Sequence, residues 1–90
     1  MDLYNTDTQA ILERISRHCP DALSAYLQCL NRANSQGTVY FSRELVEIDM
    51  SEGWHRFKNN IKKLARENIL EWHPFNDGIH ITLAAFDENE

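Results

Sequence analysis

WHRFKNNIKKLARENILEW, residues 54 to 72, is the stretch that decides the fold. At the α-helical rotation of about 100° per residue, Trp54, Phe57, Ile61, Leu64 and Ala65 fall on one face of residues 54 to 66. His55, Arg56, Asn59, Lys62, Lys63 and Arg66 fall on the opposite side, with Lys58 and Asn60 on the flanks. Residues 54 to 66 contain no Asp or Glu, so they read as an amphipathic helix whose outward face is wholly cationic or neutral polar. Beyond it the period changes. Leu70, Trp72 and Pro74 alternate with Glu71, His73 and Phe75, as in a half-buried strand.

Downstream, Ile79, Ile81 and Leu83 alternate with His80 and Thr82, and Asn76, Asp77 and Gly78 are turn formers, so residues 70 to 84 read as a hairpin. A two-residue turn at Asn76-Asp77 or Asp77-Gly78 sets Trp72 opposite Ile81 or Leu83, apolar on apolar. A three-residue loop would pair His73 with Ile81 and mix the faces, so an even loop is expected.

Upstream, TVYF after Gly37 is a β-branched and aromatic run suited to a strand. Ser42 can cap a third helix, RELVEIDM, with Leu45 and Ile48 pointing inward, and DMSEG is suited to turns and caps. Two further helices precede the strand. In the first, Thr6 and Gln9 form a capping-box pattern, and Ile11, Leu12 and Ile15 share a face. The second starts at Pro20 and carries Leu23, Tyr26, Leu27, Leu30 and Ala33 as its apolar stripe. The fold class is mainly α with a small β-sheet, in the order α-α-β-α-α-β-β. Residues 1–86 are expected to form one domain, a helical pair over 1–37 and the remainder over 38–84, with 87–90 as an acidic tail.

Ninety residues suffice for a single core, and 42% hydrophobic content with three Gly and two Pro is the composition of a folded chain. The formal charge of −5 argues at first against a nucleic-acid partner, since such binding rests on neutralising phosphates. The charge is segregated, however. Residues 54 to 66 hold five of the nine Lys and Arg, leaving four basic against fourteen acidic residues elsewhere, a formal charge of −10. The start of the chain has neither a basic n-region nor an apolar h-region, and no apolar run approaches the roughly 18 residues of a membrane span, so no membrane partner and a cytoplasmic location are expected. Cys19 and Cys29 are expected to be reduced and packed; Cys19 beside His18 lacks the further ligands a zinc site needs.

Residues 38 to 84, about half of the chain, resemble the winged helix-turn-helix superfamily, of bacterial, plasmid or phage type. Leu45 and Ile48 match its first helix, Phe57, Ile61 and Leu64 match its recognition helix, and ARENILEW matches the exit into the wing. Two departures are Asn68, where such proteins usually have Gly, and the longer turn DMSEGW with Glu52. The resemblance implies that the helix 54–67 enters the DNA major groove while the wing 70–84 touches the adjacent backbone or minor groove.

The residue chemistry suits that role. Arg and Lys reach guanine edges or phosphates, and Asn pairs with adenine. Arg56, Asn59, Asn60 and Lys63 are the expected base-facing group; His55 lies beside them; Lys58, Lys62, Arg66 and Arg43 are expected on phosphates. His73 and His80 share the outward face of the wing and would bind the backbone more strongly when protonated. Lysines and arginines in a last helical turn are favourable without any ligand, which accounts for Lys62, Lys63 and Arg66 but not for Arg56 and Lys58 near the positive end of the dipole. Trp54, Phe57 and Trp72 are spaced for core packing rather than for stacking on bases.

The expected function is sequence-specific binding of double-stranded DNA in transcriptional regulation or replication control. A homodimer on a two-fold site would supply specificity, and Ile11, Leu12 and Leu23 suit a core or a dimer surface equally. The competing expectation is a protein-interaction adaptor whose acidic remainder, including Asp2, Asp7, Glu88 and Glu90, docks on a basic partner. No carboxylate pair surrounds a nucleophile and no Gly-rich phosphate loop occurs, so neither an enzyme nor a cofactor is expected.

Overall fold

The computed structural model describes residues 6 to 84, with side chains from Gln9 onward. The capping pair at Thr6, Asp2, Asp7 and the acidic tail lie outside the described residues and side chains.

Helix α1 (Thr6–His18) buries Ile15 completely and lays Ile11 and Leu12 against the core margin. Pro20, which has no N–H to lose at a first helical position, opens a 3₁₀ turn (Pro20–Ala22) that runs straight into α2 (Leu23–Arg32). From α2 it is Ala25, Tyr26, Cys29 and Leu30 that are buried, while Leu23 and Leu27 stay half-exposed. The chain then turns on Asn34, whose Oδ1 accepts the N–H groups of Gln36 (2.9 Å) and Thr38 (3.1 Å), and on Gly37, with φ 79°.

Strand β1 (Thr38–Ser42) points Val39 and Phe41 inward and Tyr40 outward. Ser42 caps the next segment, its Oγ accepting the Leu45 N–H at 3.0 Å. The expected regular helix does not form. Leu45–Asp49 is a π-helical segment in which the Met50 N–H reaches the Leu45 carbonyl, five residues back. The wider turn changes which residues face in: Val46 is fully buried, Leu45 and Met50 lie half-buried against the core, and Ile48 is 64% exposed rather than inward.

Helix α3 (Trp54–Arg66) starts after Ser51, at φ 53°, and the N-cap Gly53. It ends on Asn68 at φ 61°, as the left-handed tolerance of Asn suggests. The Ile69 N–H donates to the Leu64 carbonyl (3.1 Å) and the Asn68 N–H to that of Ala65 (3.0 Å), a Schellman closure. Ile69 and Leu64 are both buried, supplying the apolar contact that accompanies such a closure. Strands β2 (Leu70–Phe75) and β3 (Gly78–Leu83) come next, joined by a two-residue loop, Asn76-Asp77, that sets Trp72 opposite Ile81.

The antiparallel sheet has the order β1-β3-β2. Its inner face, with Val39, Phe41, Ile79 and Ile81, joins Phe57, Ile61, Leu64, Tyr26 and Ile15 in one core cluster. Gly78 is required by the close approach of β1: a Cβ there would strike the Phe41 carbonyl oxygen and lie 2.8 Å from the Ser42 Cα. Burial pushes the Cys29 thiol up to about 12 and, with a smaller contribution from Cys29, the Tyr26 phenol up to about 12, so both remain neutral. No helix among the described residues is long and apolar enough to cross a membrane.

Candidate nucleic-acid interface

Four side chains set the roll of α3. Trp54, Phe57, Ile61 and Leu64 are buried, with the Trp54 ring stacked on Phe57 (6.5 Å) and Phe57 tilted against Phe41 (4.9 Å). Held in this way, the helix exposes His55, Arg56, Asn59, Lys62 and Arg66.

The flanks behave differently. On one, Lys58 is half-buried with its ammonium 5.7 Å from the Trp54 ring centre, and the Lys62 ammonium stands 6.0 Å from that of Trp72. On the other, Lys63 is half-buried in a depression it shares with His18, Cys19, Asp21 and Glu67. Lys63 therefore stands beside the 3₁₀ turn, partly covered, in a depression that Arg66 also lines. Asn60 requires a correction: it was expected among the base-facing residues but is only 5% exposed. Around the helix it lies between Leu64 and Lys63, on the flank that meets the 3₁₀ turn, so the rest of the fold covers it.

Among the described residues, the cations of α3 form no ion pair with a carboxylate. The ion pairs among the described residues are Arg14–Glu67 (3.7 Å), His18–Glu67 (3.3 Å) and Arg43–Glu47 (3.2 Å). Glu67, the nearest acid in sequence, is occupied by α1, and Arg14 also donates to the Glu67 carbonyl at 2.7 Å. Among the described residues, Arg56, Lys58, Lys62, Lys63 and Arg66 thus keep like charges together without an ion pair, although Lys63 and Arg66 line the same depression as Asp21 and Glu67. Arg43 is exposed at the hairpin tip, where its N–H donates to the Asp77 carbonyl (3.1 Å), but its guanidinium is engaged by Glu47. In the segment before α3, Glu44, Glu47 and Asp49 are exposed, adding negative charge close to the helix start.

The wing is short. β1 pairs with β3 from Thr38↔Thr82 to Ser42↔Gly78, so the hairpin tip ends level with β1. His73 and His80 face each other across the hairpin, ring centres 5.2 Å apart, on the sheet face turned away from the core; the buried His80 Nδ1 has no partner among the described residues. The fold does not bring this pair together with the cations of α3. Tyr40 (37% exposed) and Phe75 (53% exposed) lie on the same outer face, edge to face at 5.9 Å. The sequence signals for them are the alternation that groups Phe75 with Glu71 and His73, and the place of Tyr40 between the inward Val39 and Phe41. Burial, then the Glu67 carboxylate, raises the Cys19 thiol, which accords with an unreactive side chain. No group of three or more His, Cys, Asp or Glu that could hold a metal occurs among the described residues.

Fold and surface together describe a small mixed domain, helices on one face of a three-stranded antiparallel sheet, with a cationic helix that forms no ion pair among the described residues. Comparison with known proteins returns no matching family model, no matching curated protein and no matching solved structure.

Proposed function

We propose that this protein is a winged helix-turn-helix DNA-binding protein that serves in transcriptional regulation or replication control, with α3 in the major groove of duplex DNA. The observation that carries the reading is the set of five Lys and Arg on α3, none of them within 4.0 Å of a described carboxylate. An acidic chain that keeps such a helix free of acids has a surface matched to phosphate. Arg56 and Asn59, both exposed, are the base-reading residues, with His55 beside them. Lys58, Lys62 and Arg66 hold the backbone, Lys63 acts from the margin, and Arg43 reaches a phosphate only by leaving Glu47. The short hairpin and the placement of His73 and His80 leave them a peripheral part in this interface.

A second reading is favoured by one surface feature. Ile48, 64% exposed, stands among the exposed Glu44, Glu47 and Asp49, a patch suited to a basic, partly apolar protein partner. Titration of labelled mixed-sequence duplex at low and then rising salt separates the two. The DNA reading requires measurable affinity that falls linearly on a log–log plot against salt; no binding, or salt-independent binding, rules it out.

A further inference from the structure

α1 and α2 form a shallow groove lined by Leu12, Glu13, Ser16, Arg17, Leu23 and Leu27. Its floor is apolar: Leu12, Leu23 and Leu27 pack against the core with one side and remain half-exposed on the other. Its rim carries one acid and one base. Glu13 and Arg17 are one helical turn apart in the order that favours an ion pair within a helix, yet they do not pair; both are exposed.

We infer that this groove is the contact surface of a homodimer, in which Glu13 of each copy meets Arg17 of the other across a two-fold axis. The charge pattern selects the occupant. A foreign basic or acidic segment would leave one of the two rim charges facing its own sign. A second copy related by a two-fold axis satisfies both, because in an isologous interface residue i meets j and j meets i. Ser16, between them on the same flank, is small enough for close approach of a second helix.

The position of the groove fits the remainder of the surface. Arg14 and His18 occupy the flank of α1 that meets Glu67 at the end of α3, while Leu12 and Ser16 lie on the other side of the buried Ile15. Joining two copies there leaves Arg56 and Lys62 of both uncovered, as a two-fold DNA site would require. The dimer itself does not depend on DNA binding and is measured without DNA.

Sedimentation velocity over a wide range of protein concentration tests it. The wild-type chain dimerises; Glu13→Arg, with bases at both rim positions, and Arg17→Glu, with acids at both, each weaken association by more than about tenfold through like-charge contacts. Mixed in equal amounts, the two variants form a heterodimer, since every rim charge again meets its opposite. Both residues are exposed, and unchanged circular dichroism melts confirm that the variants are folded. A wild-type chain that stays monomeric, a dimer indifferent to either substitution, or variants that fail to associate when mixed overturns the assignment.

Discussion

The Lys62 ammonium lies 6.0 Å from the centre of the Trp72 ring, tying the cationic face of α3 to the edge strand of the hairpin. Such a contact at an exposed site contributes about 0.5–1 kcal/mol. Lys62→Ala should therefore lower the thermal midpoint only slightly. On the DNA reading it also removes one phosphate contact, so the slope of log affinity against log salt falls by about 1. Melting curves and anisotropy titrations at several salt concentrations read the two effects separately.

Asn59 and Asn60 are neighbours with opposite environments, one exposed and one buried. Asn59→Ala should leave stability within about 0.5 kcal/mol of wild type and reduce discrimination between a selected duplex and a random one by about 1–3 kcal/mol. Asn60→Asp places a charge in a covered site and should destabilise by about 2 kcal/mol or more. Urea unfolding of both variants checks the contrast; equal stability would place Asn60 on the surface.

Asn68 closes α3 from the left-handed region, at φ 61°. Gly occupies that region without steric cost, so Asn68→Gly should raise stability by up to about 1 kcal/mol. Asn68→Val, with a branched Cβ, should lower it by about 1–2 kcal/mol. A rise in the urea midpoint for the first and a fall for the second is the expected pair of results.

Gly78 admits no side chain because β1 passes directly over it. Gly78→Ala forces Phe41 and Ser42 away and should cost more than about 2 kcal/mol, with loss of amide-exchange protection along the β1–β3 ladder before the rest of the fold.

Alkaline pH should destabilise the protein. The Cys29 thiol is pushed from 9.0 to about 12 and the Tyr26 phenol from 10.0 to about 12 in the folded state. The unfolded chain therefore loses these protons first, so ∂ΔG/∂pH is negative once pH exceeds the unfolded values. Their contribution to stability is complete below about pH 9 and is lost as pH rises toward 12. Cys29→Ala should flatten the lower part of this fall in pH-dependent melts, whatever its effect at neutral pH.

Where local chemistry decides geometry, the sequence was legible. An even, two-residue hairpin loop with Trp72 facing an apolar partner comes from alternation and turn residues alone; that the loop is Asn76-Asp77 and the partner Ile81 rather than Leu83 is decided in the folded sheet. The apolar face Trp54–Phe57–Ile61–Leu64 was legible too, because a period of 3.6 is written into the residue spacing. The Ser42 cap and the left-handed Asn68 were likewise readable from residue type.

Other features depend on what packs beside a residue, and spacing carries no record of that. The π-helical turn that buries Val46 and exposes Ile48 is a local exception to the regular helical period. A helical wheel places Asn60 and Lys63 by angle but cannot know that the rest of the fold covers Asn60 or that Lys63 stands half-buried beside the 3₁₀ turn. Glu67 was readable as an acid beside a basic helix; only the fold gives it to Arg14 and His18, 53 and 49 residues away in sequence, so that among the described residues it pairs with α1 and not with the cations of α3. Residue spacing alone places α1, α2, α3, the strands and the apolar face of α3, because these arise from interactions within a few residues. Which residues of α3 are covered, and which carboxylates among the described residues are already paired, follows from the fold, because ion pairing and burial join residues far apart along the chain.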